Sequence, residues 1–180
     1  MNDSDDDVLN RVSSGSHHAP HDVLGLHAGA DGGWVVRARR PLAESVTAVF
    51  ADGTRAALTH VAYGIWQGGH DGIPQPYVLE ASYDDAPPHI ADDPYRHLPT
   101  IGELDLHLIG EGRHEQLWRV LGAHVRTDDG VTGVAFTVWA PNAQAVRVVG
   151  DFNEWDGRAH ALRSLGSSGI WELFVPAVGV

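Results

Sequence analysis

A chain of 180 residues with 43% hydrophobic side chains can bury the core of one or two domains, which argues against wholesale disorder. Its net charge of −12 repels phosphate backbones and anionic lipid, so nucleic acid and membranes are poor partners, whereas a neutral polymer carries no such penalty. All 12 basic residues are arginine and cysteine is absent, which excludes a lysine Schiff base, a phosphate-gripping lysine, disulfides and thiolate metal sites.

The N-terminal stretch, residues 1–17, is acidic and serine-rich and reads as a disordered tail with no apolar signal core. No later run approaches the ~18 apolar residues of a membrane helix, so the expected compartment is the cytoplasm. In Pro20–His27, Asp22 caps a helical turn that Gly25 ends. Short β-branched or aromatic runs follow at Trp34–Ala38, Ser45–Phe50, Ala56–His60, Tyr63–Gln67 and Tyr77–Tyr83. They are punctuated by Gly32-Gly33, Pro41 and the hairpin signal Asp52-Gly53. Asp84–Pro99 carries four prolines and is expected to cross between modules without regular structure. In residues 101–119, Leu104, Leu108, Ile109, Leu117 and Trp118 are interrupted by Gly110 and Gly112, which predicts two short helical turns. Strands are then expected at Val134–Trp139, Ala145–Gly150, Ala161–Leu165 and Ile170–Val175.

The chain repeats itself. Val23-Leu24-Gly25-Leu26-His27 matches Val120-Leu121-Gly122-Ala123-His124. Pro41, Val46 and Val49 match Pro141, Val146 and Val149, and Gly64-Ile65-Trp66 matches Gly169-Ile170-Trp171. Ordered matches at nearly equal offsets imply two tandem modules of one topology, each an all-β sandwich. The expected boundaries are 18–100 for the first module, 101–119 for a connector and 120–180 for the second. Because the first copy runs on well past its Gly-Ile-Trp, the second is expected to be incomplete at its C-terminus, and the chain to be a fragment.

The richest motif is Asp151-Phe152-Asn153-Glu154-Trp155-Asp156-Gly157. An indole on a loop offers a flat apolar face on which the C–H face of a glucose ring can stack, with an amide beside it for hydroxyls. Trp155 and Asn153 are therefore the candidate sugar contacts; the competing reading is that Phe152 and Trp155 close the sandwich and Asp156-Gly157 is a turn. Trp139 alternates with Ala135 and Thr137, opposite a core face of Val134, Phe136 and Val138. The 12 histidines show no metal-ligand spacing, and no cofactor fingerprint occurs, so neither a metal nor a cofactor is expected. The carboxylate pairs Asp84-Asp85, Asp92-Asp93 and Asp128-Asp129 lie in turns or proline-rich segments and are expected to face solvent. No catalytic constellation is visible.

FTVWAPNAQAVRVVGDFNEWDGRAHALR followed by GIWELFVP resembles the second N-terminal module of bacterial glycogen branching enzymes. In that family this is a carbohydrate-binding module of family 48 with an immunoglobulin-like sandwich. HDVLGLH and ADDPYRHLPTIGELDLHLIGEGRHEQLWRVLGAH resemble the extra N-terminal module of the same enzymes, so the resemblance runs from about His18 to Val180. It implies two tandem immunoglobulin-like sandwiches, and an enzyme that cuts an α-1,4-glucan and rejoins it through an α-1,6 link. The chemistry would belong to an Asp nucleophile and a Glu acid/base in a following alpha-amylase-type barrel, with no catalytic residue in this chain. The implied partners are α-glucan (glycogen) and that C-terminal barrel, with Trp155 and Asn153 near the binding face. A stand-alone glucan-binding scaffold, or the front of a debranching enzyme, are the alternatives.

Overall fold

The computed structural model describes residues 3–29, 32–84 and 86–178. The chain divides into two compact units, Met1–Ser14 with His21–Arg96, and Gly15–Pro20 with His97–Val180. The architecture is all-β, with two α-helices, α1 (Asp3–Ser13) and α2 (Glu103–Gly110), among the described residues.

The first unit holds β1 (Gly25–Ala28), β2 (Trp34–Arg39), β3 (Ser45–Phe50), β4 (Arg55–Ala62), β5 (Ile65–His70), β6 (Tyr77–Ser82) and β7 (His89–Asp92), in the order β1-β2-β5-β4-β3-β6-β7. All neighbours are antiparallel. β4 joins the two halves: Ala56–Leu58 pair with β3, and Thr59, His60 and Ala62 with β5 across an irregularity. The sheet folds over itself there, so that Val36, Ala38 and Trp66 pack on Val46, Ala48, Leu79 and Ala81 in one buried cluster. The strict alternation of burial along β6 is the period-two signature of a strand with one face in that core.

Two expectations need correction. The disordered tail is instead helix α1, which buries Leu9 and Val12; Met1 and Asn2 lie outside the described residues. Val8, Leu9 and Val12 form a short apolar stripe at helical spacing, and Asp5 and Asp6 in the first turn suit the positive end of the helix dipole. Tyr63 Oη donates to Asp6 at 2.8 Å, Ser13 Oγ donates to the Tyr63 carbonyl at 2.6 Å, and Arg39 Nε donates to the Ser13 carbonyl at 3.0 Å. The proline-rich crossing segment contains a strand, β7. It lies at a sheet edge between Pro88 and Pro94, where a strand needs hydrogen-bond donors on one side only.

The second unit holds β8 (Gly122–Asp128), β9 (Val131–Trp139), β10 (Arg163–Ser164) and β11 (Ile170–Pro176), ordered β10-β11-β9-β8 and antiparallel. β11 is buried on both faces from Ile170 to Val175. Trp171, Leu173 and Val175 share a face with Val138, Phe136 and Val134. On the opposite face Glu172 meets Thr100, and Phe174 meets His97, in the segment just before the expected connector. Glu172 Oε1 accepts from Thr100 N (3.2 Å) and Oγ1 (2.9 Å), while Glu172 Oε2 accepts from Arg163 Nε (3.1 Å) and Nη2 (2.8 Å). Arg163 Nη1 donates to the His97 carbonyl at 3.0 Å, and His97 Nδ1 lies 2.7 Å from Asp128 Oδ2. This network is why the division falls at Arg96/His97 and why residues 97–119, with α2 and a 3-10 turn at Leu117–Arg119, count with the second unit.

The repeat extends to hydrogen bonds. Gly25 pairs with Arg37 and Gly122 with Thr137; Arg39 pairs with Ile65 and Trp139 with Ile170. His27 Nε2 donates to the Leu24 carbonyl at 2.9 Å and His124 Nε2 to the Leu121 carbonyl at 3.0 Å. Trp66 Nε1 donates to the Arg40 carbonyl and Trp171 Nε1 to the Ala140 carbonyl, at 2.9 and 3.0 Å. Gly64 and Gly169, with φ of 75° and 73°, sit over Pro41 and Pro141, where a Cβ would meet proline carbon at 2.8 Å in both.

The segment 145–150, expected as a strand, forms only the bridge Arg147–Ala161. Val148 N donates to the His160 carbonyl at 3.0 Å and Leu162 N to the Val146 carbonyl at 2.9 Å, so it is paired along one side.

Candidate functional site

The two units part company in the hairpin after β3. In the first, Phe50 N donates to the Thr54 carbonyl and Gly53 N to the Phe50 carbonyl, both at 2.9 Å, closing a tight turn around Asp52-Gly53. In the second, the corresponding turn is the longer loop from Gly150 to His160. It opens with a 3-10 turn at Asp151–Asn153, and the Gly150 carbonyl accepts from both Asn153 N (3.1 Å) and Trp155 N (3.0 Å).

Asn153 is the internal brace of this loop. Its Oδ1 accepts from Gly150 N at 3.0 Å, and its Nδ2 donates to the Val148 carbonyl and to His160 Nδ1, each at 3.0 Å. Because Gly150 N can only donate, the amide orientation is fixed. His160 Nδ1 must therefore accept and carries no proton in this arrangement. Both amide hydrogens and one oxygen lone pair are thus spent inside the loop.

Trp155 stands in the open, 67% exposed. Its backbone and that of Glu154 are both left-handed, at φ of 59° and 52°, a conformation costing ~1 kcal/mol or more for each residue with a Cβ. The Asn153 brace and the paired bonds to the Gly150 carbonyl hold this shape. Trp155 Nε1 donates to Asp151 Oδ1 at 2.9 Å, which fixes the ring and leaves its faces presented. Phe152, 39% exposed, lies edge-to-face on His160 at 5.4 Å and 6.2 Å from the Phe136 ring. Gly150 is extended and needs its missing side chain for another reason: a Cβ there would lie 2.6 Å from the Phe152 ring. Arg158 closes the loop on Asp156, its Nη2 2.8 Å from Oδ2.

The structure thus brings Trp155 and Asn153 into one loop but gives them different parts, a presented ring and a brace. Sequence reasoning missed Asp151 and His160. An aspartate four residues before a loop tryptophan was the available signal for the first.

The carboxylate pairs are not simply solvated. Asp93 is 1% exposed: its Oδ2 accepts from Tyr77 Oη at 2.6 Å and its Oδ1 from Tyr95 N at 3.1 Å. Burial raises its pKa against the opposing pull of Arg40 and these hydrogen bonds. Burial first, and the Asp93 charge second, push the Tyr77 hydroxyl well above its ordinary value. Asp92 is in a two-pronged ion pair with Arg96, at 2.7 and 2.8 Å, and Asp128 faces His97. Asp84 and Asp129 take left-handed turn conformations, and Asp85 lies outside the described residues. The expectation that all would face solvent fails because Tyr77 and His97, distant in sequence, partner Asp93 and Asp128, and Arg96, four residues on, partners Asp92. Among the described residues no group of three or more His, Cys, Asp or Glu is placed to hold a metal, and no helix is long and apolar enough to cross a membrane.

Comparison with known proteins decides the family. Residues 5–95 match the family described as alpha-1,4-glucan branching enzyme GlgB, N-terminal domain. The chain belongs to that family. Residues 120–180 match carbohydrate-binding module 48, the isoamylase N-terminal domain. The 1,4-alpha-glucan branching enzyme GlgB of Leifsonia xyli is 61% identical over 180 residues, covering 97% of this chain and 25% of that protein. That of Thermobifida fusca is 56% identical over 176 residues, covering 95% of this chain and 23% of the relative. For that of Myxococcus xanthus the figures are 49%, 97% and 24%. The GlgB-type chain therefore spans about a quarter of the length of the curated relatives it matches.

Proposed function

We propose that this chain is the front of a glycogen branching enzyme, which moves α-1,4-glucan segments into α-1,6 branches, and that it serves as the enzyme's glucan-contacting and spacing region. The catalytic carboxylates belong to a C-terminal barrel of the same polypeptide, and no residue here takes part in bond cleavage. The carrying observation is Trp155, an aromatic ring held open by its own hydrogen bond on a loop that the sister unit lacks. A glucose ring stacks its C–H face on the indole, and neighbouring hydroxyls remain in water or reach Asp151. Asn153 contributes by holding the loop that presents the ring. The neutral polymer suits a surface carrying −12 charges, and a cysteine-free chain suits the cytoplasm, the compartment we assign.

Two measurements test this. Electrophoresis of the 180-residue chain through a glycogen-containing gel should show retardation, and Trp155→Ala should weaken binding by ~1–2 kcal/mol, the cost of a lost aromatic contact. Unchanged retardation removes Trp155 from the site. The intact gene product should raise the α-1,6 content of amylose; a product with glucan-hydrolysing activity confined to existing branches would replace the branching assignment with debranching.

A further inference from the structure

The shared register also shows where the two units differ on their outer faces. Val36 and Ala38 belong to the core of the first unit, so Arg37 and Arg39 between and beyond them face outward. Arg37 of β2 pairs with Gln67 of β5, and the same positions in the second unit are Thr137 of β9 and Glu172 of β11, which pair likewise. There the place is filled: Glu172 is fully buried, and Thr100 and Arg163 use both its oxygens. In the first unit it is open. The end of α1 reaches this face where Arg39 donates to the Ser13 carbonyl, and between the earlier turns of the helix and the sheet lies a cleft of about 370 Å³. Asp5 and Val8, three apart on one face of the helix, line one side, and Arg37, Gln67, Val23 and Val61 line the rest. Arg37 Nε donates to Gln67 Oε1 at 2.6 Å. Because that nitrogen can only donate, the amide orientation is fixed and Gln67 Nε2 keeps both its hydrogens. Neither Gln67 Nε2, nor the two Nη of Arg37, nor the Asp5 carboxylate makes a hydrogen bond among the described residues.

We propose that this cleft is a second carbohydrate site, in the first unit, which takes one or two glucosyl units of a neutral glucan between α1 and the outer face of β2, β4 and β5. Its volume lies at the small end of the ~300–1,000 Å³ of ligand clefts, which suits a mono- or disaccharide. The class of ligand follows from donors and acceptors. Arg37 Nη1 and Nη2 and Gln67 Nε2 only donate, and the Asp5 carboxylate only accepts, around an apolar lining of Val8, Val23 and Val61. A hydroxyl does both. A vicinal diol therefore accepts from the guanidinium fork and donates to Asp5, while the ring C–H groups lie on the valines. An anion would meet Asp5 and a chain of net charge −12, and a cation would meet Arg37. A ligand held this way touches helix and sheet together. Its binding therefore holds down α1, which is otherwise seated by Leu9, Val12 and the hydrogen bonds of Asp6 and Ser13. The sugar class rests on the reading of this chain as glucan-contacting, but the cleft shares no residue with the Trp155 loop.

The test uses the 180-residue chain carrying Trp155→Ala, which silences the loop contact, and follows it by NMR as maltotriose is added. The expected result is a saturable shift of the Arg37 Nε and Gln67 Nε2 side-chain signals and of the Val8 and Val61 amides. Amide exchange along α1 should slow ~10-fold when the sugar stands at about ten times its Kd. Arg37→Ala in this background should weaken the titration ~10-fold or more. Asp5→Ala, a surface change with no hydrogen bond to lose, should weaken it by a smaller factor and keeps the test decisive if the first variant folds poorly. Absence of shifts at these groups overturns the proposal. So does an equal response to glycerol at matched concentration, which means unspecific polyol contact, or a response to inorganic phosphate in place of maltotriose, which means an anion site. Shifts unchanged by both substitutions overturn it too, by placing the sugar elsewhere. Silence at the cleft with Trp155-dependent glycogen retardation intact in the parent chain sinks this proposal alone; the reverse pair of results supports the cleft and sinks the loop.

Discussion

Asn153→Ala separates a brace from a sugar contact. The substitution deletes three hydrogen bonds of a half-buried amide, to Gly150 N, the Val148 carbonyl and His160 Nδ1. At ~1 kcal/mol net for each, the loop loses about 3 kcal/mol of local stability. That exceeds the ~2 kcal/mol needed to hold Glu154 and Trp155 left-handed, so the loop relaxes and the indole is no longer presented. Glucan retention should therefore fall about as far as in Trp155→Ala, with a lower melting temperature that Trp155→Ala does not share. The discriminating measurement is a double-mutant cycle on maltooligosaccharide binding by calorimetry. If Asn153 acts only through the ring, the double variant binds no worse than Trp155→Ala alone. Additive losses, each independent of the other, would refute the brace and return Asn153 to direct contact with sugar hydroxyls.

Three further outcomes follow from the cores. Asp93 has a raised pKa in the folded chain, so its share of stability is fully present below the unfolded value near 3.8 and is lost as pH rises through the folded value. Asp93→Asn, which keeps an acceptor and removes the buried charge, should melt progressively higher than the parent as pH rises from 3.5 to 7; a pH-independent difference would contradict this. Glu172→Ala strands the Arg163 guanidinium in the interior and should cost about 3–5 kcal/mol in denaturant unfolding, whereas Glu172→Gln, which retains the Thr100 bonds, should cost less. Gly64→Ala and Gly169→Ala should destabilise their units by similar amounts, ~1–2 kcal/mol or more, because each meets a proline carbon at the same distance with the same backbone strain; a loss in only one would argue that the repeat is not structural there.

Much of the fold was legible because period-two alternation and turn residues act locally. Ser45–Phe50 is β3 to the residue, and Trp34–Ala38 and Tyr77–Tyr83 fall within a residue of β2 and β6. What was not legible depended on partners distant in sequence. Helix α1 was hidden because its apolar stripe is only three residues wide, and its stability comes from Tyr63 and Arg39. Asp93 reads locally as a solvated carboxylate, since its hydrogen-bond partner Tyr77 lies 16 residues earlier. Residues 145–150 have the pattern of a strand but not a ladder, since alternation reports which face is apolar and not whether both edges have neighbours. In the candidate site, the exposed Trp155 could be read from its loop setting, whereas the use of Asn153 could not. Its three bonds go to backbone and ring atoms whose positions only the folded loop defines.

Comparing the two units apportions the sequence more sharply than either unit does alone. Where they agree at the level of individual hydrogen bonds, as in the histidine-to-carbonyl bonds of Val-Leu-Gly-x-His and the indole-to-carbonyl bonds of Gly-Ile-Trp, the residues hold a sandwich together, and Trp66 and Trp171 are both buried. A tryptophan spent on the core in both copies is not available to sugar. The hairpin after β3 is where they disagree. The first unit closes it with Asp52-Gly53 at little conformational cost. The second spends two left-handed residues and a fully engaged asparagine to hold one exposed indole. Strain of that kind persists only where the surroundings enforce it, and it brings the second sandwich no burial, since Trp155 remains outside the core. The loop is therefore explained by what it presents, a flat apolar ring face held open on an acidic surface, and this presentation is what supports the glucan contact proposed above.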